Sequence, residues 1–305
     1  MGPRIDGGFI RLRRSNIPQL GNQIAHADPC SFVSKKQYFS NLDFTVLNFL
    51  PLKSFSLSLD WLRLKSWKKL VESGFRTVHT ATFVCLANSR KRSGRCLAGK
   101  AFDNGTYSKW IRPVTEHPTE ELQSNEYCLQ TGEDAKILDL LEIKLREPKG
   151  RLHQQENWLM DISVPLKKNG SLTLEEVSKL VDSPESLWGT GTSTKNGLNN
   201  CVPISEINNH ASSLYLVDVS KFKVEIRISF GRREMRGSFS YGGHEYKLSI
   251  TDPHFEQRFV DKPLGDYEID RTLLTISLGE HYGGSFYKLI AGIVPIEFGK
   301  KWIRQ

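Results

Sequence analysis

The feature that most constrains this fold is a succession of short segments with the two-residue alternation of β-strands. In the clearest of them, residues 222–230, Phe, Val and Ile alternate with Lys, Glu, Arg and Ser. Alternation of this kind places apolar side chains on one face of a strand and polar ones on the other. A strand with one wet face is typical of an antiparallel sheet, since the strands of parallel α/β sheets are buried on both faces.

Comparable segments recur on both sides of the middle of the chain. They are residues 82–87, 95–102, 107–114 and 137–145 in the first half, and 213–219, 222–230, 236–241, 245–250, 273–278 and 285–294 in the second. Asn104-Gly105 and Gly242-Gly243 mark hairpin turns because these residues accept positive φ. About five short strands in each half predict a mainly β chain with two small barrels in tandem, and not one parallel α/β sheet.

One helix and one loop separate the two strand series. Residues 171–182 carry an apolar stripe at helical spacing, with Thr173 and Glu176 suited to the first turn. Residues 189–200 are rich in Gly, Ser, Thr and Asn, which indicates a boundary. We therefore predict the following division of the chain: a first barrel with its helix over 79–188, a linker over 189–212, a second barrel over 213–298 and a tail over 299–305.

The positive charge of the chain is concentrated at its N-terminus. The whole chain has a net charge of +8, and residues 1–79 hold 12 basic against 5 acidic side chains, which leaves the remainder near +1. Residues 58–73 resemble a basic amphipathic helix that would suit a phosphate or lipid surface. We favour the alternative that residues 1–78 are a poorly ordered or partly helical extension, and that the natural protein begins near Val78.

Several classes of protein are disfavoured by composition and motifs. No apolar run reaches the ~20 residues of a membrane span, and no signal-peptide pattern follows the N-terminal arginines, so we expect a cytoplasmic protein without a membrane partner. The five cysteines form no CxxC pair, and metal-ligand and nucleophile motifs are missing from the sequence. We accordingly predict no metal, no cofactor and no catalytic residues.

The densest chemistry lies in the first three strands of the first half. Residues 89–95 hold four cations, and Trp110 and Arg112 follow on the third strand. Cations that neutralise phosphates, beside an aromatic ring that stacks on a base, are what a nucleic-acid site requires. On spacing alone, a solvated basic turn beside a core tryptophan explains the same residues.

A resemblance favours the binding interpretation. The runs NSRKRSGRCLAGK (88–100), KWIRPV (109–114), HQQENW (153–158), LSITDP (248–253) and SLGEHYGGSFYKLIAGIV (277–294) resemble the dual OB-containing domain family of prokaryotes. The resemblance implies two OB barrels and a nucleic-acid or nucleotide recognition module in bacterial conflict and defence systems. Residues 197–202 depart from the family pattern by losing an acid and a cation, which puts a ligand contact from that loop in doubt.

The resemblance and the residue chemistry together give the candidate binding site: Ser89, Arg90, Lys91, Arg95, Trp110, Arg112, His153, Asn157 and Trp158. We expect the arginines and the lysine to contact phosphate, the two tryptophans to stack on bases, and His153 and Asn157 to supply polar contacts. The loop at residues 279–284, between the last two strands, is a further candidate for ligand contact.

The prediction from the sequence is a non-catalytic module that binds nucleic acid or a nucleotide through the basic and aromatic face of its first barrel. Two alternatives stay open. One is a pocket for a small nucleotide-derived ligand or a modified base. The other is an adaptor that binds a protein partner encoded in the same operon. The near-neutral charge of residues 80–305 favours a compact site over extended binding along a strand.

Overall fold

The structure is a computed structural model that describes residues 78–209, 212–296 and 303–304. The N-terminal extension predicted over residues 1–78, including the amphipathic segment 58–73, lies outside the described residues apart from Val78. The described part is mainly β and forms two barrels with a helix-bearing segment between them, which confirms the predicted fold class.

Fifteen strands and three short α-helices make up the described chain. The first half contains β1 (His79–Lys91), β2 (Gly94–Asp103), β3 (Thr106–Val114), α1 (Ser124–Tyr127), β4 (Asp139–Pro148), β5 (Asn157–Met160), β6 (Lys167–Ser171) and α2 (Leu174–Ser178). The second half contains β7 (Cys201–Pro203), a 3-10 helix (Ile204–Asn209), β8 (Leu214–Val219), β9 (Phe222–Ser229), β10 (Arg232–Tyr241), β11 (His244–Ile250), α3 (Pro253–Gln257), β12 (Gly265–Ile269), β13 (Thr272–Tyr282), β14 (Ser285–Pro295) and β15 (Ile303–Arg304).

The first sheet closes into a five-stranded barrel. Its strands pair in the order β1-β2-β3-β5-β4, and β4 returns to pair with β1, while β6 extends the sheet beyond β4. The pair β3–β5 is parallel and the other pairs are antiparallel. Closure is made by the long strand β1, whose N-terminal half pairs with β4 and whose C-terminal half pairs with β2. A closed barrel leaves no free sheet edge.

The second sheet has the same strand order as the first barrel. Two consecutive strands, β8 and β9, take the place of the single long strand β1. The path of the second sheet is β9-β10-β11-β14-β13-β8, again with one parallel pair, β11–β14. Only Ser220 and Lys221 separate β8 from β9, so the two ends of this path are joined by the chain itself. Strand β12, which the sequence patterns do not predict, adds to the outer side of β9, and β7 pairs with β14.

Each barrel encloses its own apolar core. In the second barrel, Phe222, Val224 and Ile226 of β9 point inward as the alternation predicts. Ile228 and Phe230 continue the same alternation, but they are 56% and 95% exposed. The pattern therefore extends beyond the buried part of the strand. The period-two pattern therefore identifies the strand correctly but does not show where its buried part ends.

The predicted helix over 171–182 is much shorter in the structure. Ser171 ends β6, and the helix runs only over Leu174–Ser178, with Thr173 as its N-cap and Glu176 completing a capping box. Leu172, Leu180 and Val181, which the sequence places on the apolar face of this helix, lie outside it in the structure. They still pack inward, against the apolar cluster between the two barrels. Residues 201–203, within the predicted linker, form β7.

The two barrels dock through strands that each carry a bulge. The pairing of β1 with β2 shifts between Cys85 and Ala87, so Leu86 falls outside the ladder and its carbonyl accepts a hydrogen bond from Thr275 Oγ of the second barrel at 2.6 Å. The pairing of β13 with β14 shifts just after Thr275. A Cβ on Gly292 would lie 2.1 Å from the Leu86 oxygen, so only glycine permits this approach.

Apolar side chains fill the space around this contact. Val84 and Leu86 of the first barrel pack with Leu216, Leu273 and Val294 of the second. Beside them lies a second cluster of three alanines and one leucine, whose small alanine side chains permit a close approach of the backbones: Ala87, Ala98, Leu214 and Ala291. Among the described residues, no helix is long and apolar enough to cross a membrane.

The Gly292 contact generates a stability prediction. We expect Gly292→Ala to lower the free energy of unfolding by about 1–3 kcal/mol, because the added methyl group collides with the Leu86 carbonyl and pushes the barrels apart. Denaturant unfolding of the full chain measures this. Gly279→Ala on β13 is the matched control, since its Cβ would meet its nearest atom at 3.3 Å. Equal losses in the two variants would contradict the prediction.

Candidate functional site

Most of the predicted binding residues converge on the junction between the two barrels. Five of them line one cleft: Ser89, Arg90, Lys91, Arg112 and Asn157. The cleft has a volume of about 130 Å³ and is completed by Cys96, Val114, Gln154, Ser277, Gly279, Glu280 and Leu289. We call this space the inter-barrel cleft. The structure thus brings together residues from β1, β3 and β5 of the first barrel with residues from β13 and β14 of the second.

A wider groove adjoins the inter-barrel cleft and shares Gln154 and Glu280 with it. It has a volume of about 340 Å³. Its lining residues come from three loops and one hairpin: Arg92, Pro118, Thr119, Arg151, Leu152, His153, Gln154, Glu280, His281 and Phe286. We call it the loop groove. The β1–β2 turn and the β4–β5 loop, which form two of its sides, correspond to the loops with which OB folds hold oligonucleotides.

Arg112 is the residue whose position differs most from expectation. It was predicted to contact phosphate, but it is 3% exposed and forms an ion pair with Glu156 at 3.0 Å (Nη1 to Oε1). Its Nη1 also donates to Asn157 Oδ1 at 3.2 Å, and its Nη2 donates to Ser213 Oγ at 2.8 Å. The Ser213 hydroxyl in turn donates to Glu156. The guanidinium therefore joins the two barrels, and its charge is already compensated.

The two cations of β1 are more exposed but also paired. Arg90, with half of its side chain exposed, lies 2.8 Å from Glu256 of α3, and Lys91 lies 2.8 Å from Glu280 of β13. Burial raises the pKa of the Glu256 carboxyl, although Arg90 opposes this shift. Partly exposed pairs of this kind are weak and are screened by salt. Both cations can therefore exchange a carboxylate partner for an anionic ligand.

His153 and Asn157 occupy the barrel junction. The His153 ring is 3% exposed, lies 3.0 Å from the carbonyl oxygen of Gly279 through Nε2, and makes an edge contact with Phe286. Burial lowers the pKa of His153. Asn157 is 1% exposed and bonds to Arg112 and, at 3.4 Å, to Gln154. Asn157 reaches the inter-barrel cleft, whereas His153 reaches the loop groove.

The remaining predicted residues do not line the inter-barrel cleft. Trp110, predicted to stack on a base, donates from Nε1 to Asp182 at 3.2 Å and packs against the apolar clusters between the barrels. Trp158, the other predicted stacking ring, packs against the first barrel core with its edge toward His79. Arg95 lies over the Tyr127 ring at 5.3 Å. These three side chains are engaged within the protein.

Several site residues were missed by sequence reasoning. Gln154, Ser277 and Leu289 line the inter-barrel cleft. They lie within the runs 153–158 and 277–294 that carry the family resemblance, and this was the signal that could have found them. The loop at residues 279–284 was a candidate, and Gly279 and Glu280 indeed line the cleft. Phe230, at the tip of the β9–β10 hairpin, was also missed. Its extreme exposure contradicts the core position that its alternation implies.

Within the described ranges, no group of three or more His, Cys, Asp or Glu side chains is arranged to hold a metal ion. The polar side chains at the junction are either neutral hydrogen-bonding groups, such as Asn157 and Ser213, or members of an ion pair, such as Arg112 with Glu156. Such an arrangement can bind a small polar ligand by hydrogen bonds inside the cleft and an anion at its rim. The cleft and the loop groove are therefore the candidate functional site of the described chain.

The strand order and the site define a protein with two OB-type barrels in tandem, docked through their first and last strands. A family model described as the dual OB-containing domain matches residues 81–293, and the chain belongs to this family. No curated protein matches the chain. Among solved structures, the crystal structure of the tetrameric p202 HIN2 is similar, with 11% identity, a TM-score of 0.27 and coverage of 71% of this chain and 91% of that one.

The buried ion pair generates a prediction about stability. We expect Arg112→Met to lower the free energy of unfolding by about 3–5 kcal/mol, because it leaves Glu156 buried without its cation. The double variant Arg112→Met, Glu156→Leu should lose less, since neither charge then remains in the junction. Denaturant unfolding of both variants measures the difference. A double variant that is less stable than the single one would contradict a charge-compensated pair.

His153 generates a prediction about pH. Its pKa is lowered in the folded state, so the unfolded chain takes up this proton first as the pH falls below about 6.5. The free energy of unfolding should therefore decrease as the pH drops from 7.5 to 5. His153→Gln retains a donor for the Gly279 carbonyl but does not titrate. The difference in stability between wild type and variant, followed across this range by urea unfolding, should change with pH; a constant difference would contradict it.

Proposed function

We propose that this protein is a non-catalytic recognition module for nucleic acid or a nucleotide, and that it binds through the junction side of its first barrel. One observation carries the proposal. Five of the nine residues selected from the sequence line a single cleft, beside the two loops that OB folds use to hold oligonucleotides. Their convergence from β1, β3 and β5 makes a shared role in binding more economical than five separate structural roles.

The charge of the cleft supports an anionic ligand. Three cations line it, namely Arg90, Lys91 and Arg112. Each is paired with a carboxylate, but the pairs of Arg90 and Lys91 are partly exposed and can be exchanged for a ligand's phosphate. Arg92 and Arg151 add two further cations to the adjoining loop groove. Since Arg112 is buried, phosphate contact falls to the more exposed arginines and Lys91. Cations on the rim of a concave site concentrate an anionic ligand there.

The number of available cations implies a short contact. Four exposed or half-buried cations lie around the junction, and Arg90, Lys91 and Arg151 each have a carboxylate partner. A protein that tracks a nucleic-acid backbone over many phosphates shows a much steeper salt dependence than such a site can give. The proposal is therefore of a few phosphate contacts beside a shaped cleft, in the setting of the prokaryotic defence systems that the resemblance implies.

A second candidate function is a protein-interaction adaptor. The observation that favours it is the tip of the β9–β10 hairpin, where Phe230 and Ile228 are exposed on the second barrel, away from the core. Exposed aromatic residues of this kind are enriched in protein interfaces. The partner would be a protein encoded beside this one. In that case the polar residues of the junction, such as Arg112 and Ser213, serve only to hold the two barrels together.

The proposal makes a prediction about salt dependence. Replacing both rim cations, in Arg90→Ala with Lys91→Ala, should weaken binding of a fluorescein-labelled single-stranded oligonucleotide. If both residues contact phosphate, the slope of log affinity against log salt should become shallower by about 1.4, because each phosphate contact on a single strand contributes about 0.7. Fluorescence anisotropy at four salt concentrations measures the slope.

Lys167→Ala with Lys179→Ala is the matched control. It removes the same charge from exposed positions that also pair with carboxylates, Glu142 and Glu175, but lie outside the cleft. The control should leave both affinity and slope near the wild-type values. Equal losses in the two double variants would show that net charge, and not the junction, governs binding. No binding of any oligonucleotide by the wild-type chain would favour the adaptor.

A further inference from the structure

The inter-barrel cleft contains a buried hydrogen-bond donor that the protein does not use. Arg112 lines the cleft, and both of its terminal nitrogens have partners, but none of the described residues accepts a hydrogen bond from its Nε. A buried polar group without a partner is destabilising, and each such group in a native structure requires an explanation. Because this nitrogen has almost no accessible surface, an acceptor on a ligand in the cleft would satisfy it after a small shift of the Arg112 side chain.

Two further polar groups in the cleft are only weakly engaged. The Asn157 side-chain amide donates to Gln154 across 3.4 Å, and the Ser277 hydroxyl accepts from Arg112 across 3.4 Å. Both distances are longer than a good hydrogen bond, so these groups can turn to a ligand at little cost. The side chains of Val114 and Leu289 supply the apolar surface of the cleft. Apolar surface with a few convergent polar groups is the usual character of a small-molecule site.

The size of the cleft limits its ligand. At about 130 Å³ it is smaller than the ~300 Å³ at which pockets for drug-sized molecules begin. This volume has room for one ring system but not for a whole nucleotide. Arg90 and Lys91 line the same cleft, and their side chains are 51% and 20% exposed, so both are partly accessible from solvent. A phosphate attached to the ring would meet these two cations outside.

We infer that the inter-barrel cleft binds one nucleobase, whose polar edge is held by Arg112, Asn157 and Ser277 and whose phosphate lies at Arg90 and Lys91. The inference rests on the proposed function and names its ligand. Base edges carry both carbonyl oxygens and ring nitrogens, which are the acceptors that the free Arg112 nitrogen and the Asn157 amide require. A nucleotide taken from a single strand would enter with its base turned out of the stack.

Isothermal titration calorimetry of the full chain with the four nucleoside monophosphates and with ribose 5-phosphate tests the inference directly. We expect at least one nucleoside monophosphate to bind about tenfold or more tightly than ribose 5-phosphate, which carries the sugar and phosphate without the base. Equal affinities, or no binding of any nucleotide, would overturn the base pocket. Salt-dependent oligonucleotide binding that persists in that case would leave the proposed function standing, so the two failures are distinguishable.

Filling the cleft provides a second test. Cys96 is a free, partly exposed cysteine of β2 that lines the cleft, and Cys96→Phe should reduce nucleotide affinity about tenfold or more by occupying the space of the base. Ser93→Phe adds the same ring at the exposed β1–β2 turn of the same hairpin, outside the cleft lining, and should have little effect. Equal effects of the two variants would overturn the inference.

A measurement on the unmodified chain covers the case in which Cys96→Phe does not fold. Alkylation of Cys96 by iodoacetamide, followed by mass spectrometry of the peptide that contains it, should slow in the presence of the tightest-binding nucleoside monophosphate. Ribose 5-phosphate at the same concentration should not protect the thiol. Equal rates of alkylation with and without the nucleotide would contradict a base in the cleft.

Discussion

The close approach of the two barrels at Leu86 and Gly292 is the constraint on which the rest of the structure depends. Each barrel interrupts its strand ladder with a bulge at this point, and the freed Leu86 carbonyl accepts a hydrogen bond from Thr275. A bulge bends its strand and exposes a backbone group that the ladder would otherwise use. Two barrels that bend toward each other at matching positions form one body with a defined junction, and the inter-barrel cleft exists only because that junction is held.

The junction also determines what each polar side chain can do. Arg112 is paired with Glu156 and Asn157 of its own barrel, and Ser213 and Ser277 of the second barrel complete its hydrogen bonds. Burial of a charge is tolerated only when it is paired and hydrogen-bonded, and Glu156 provides the pair. Trp110 is similarly drawn inward by its bond to Asp182. Docking thus gives Arg112 a structural role while it still lines the cleft, and it leaves Arg90 and Lys91 partly exposed at the rim.

The sequence predicted what depends on local pattern. The alternation of Phe222, Val224 and Ile226 and the turn signal at Asn104-Gly105 depend on neighbours in the chain, and the two-barrel fold follows from such patterns. The roles of Arg112 and Trp110 could not be predicted in this way, because their partners Ser213 and Asp182 lie 101 and 72 residues away. Phe230 shows the opposite failure, since its pattern continues a buried strand beyond the point where the barrel ends.

Charge at the junction argues for recognition by shape and hydrogen bonds over recognition by electrostatic attraction alone. Arg90, Lys91 and Arg112 each form an ion pair with a carboxylate. A phosphate that binds Arg90 or Lys91 must replace Glu256 or Glu280, so the net gain in free energy is small. A buried donor without a partner gains nearly a whole hydrogen bond when a ligand fills it. The hydrogen bond to the buried donor is available only to a ligand that fits the cleft, whereas the attraction of Arg90 and Lys91 is shared by every anion. If the cleft binds a nucleobase as proposed, its selectivity resides in the few polar atoms inside it.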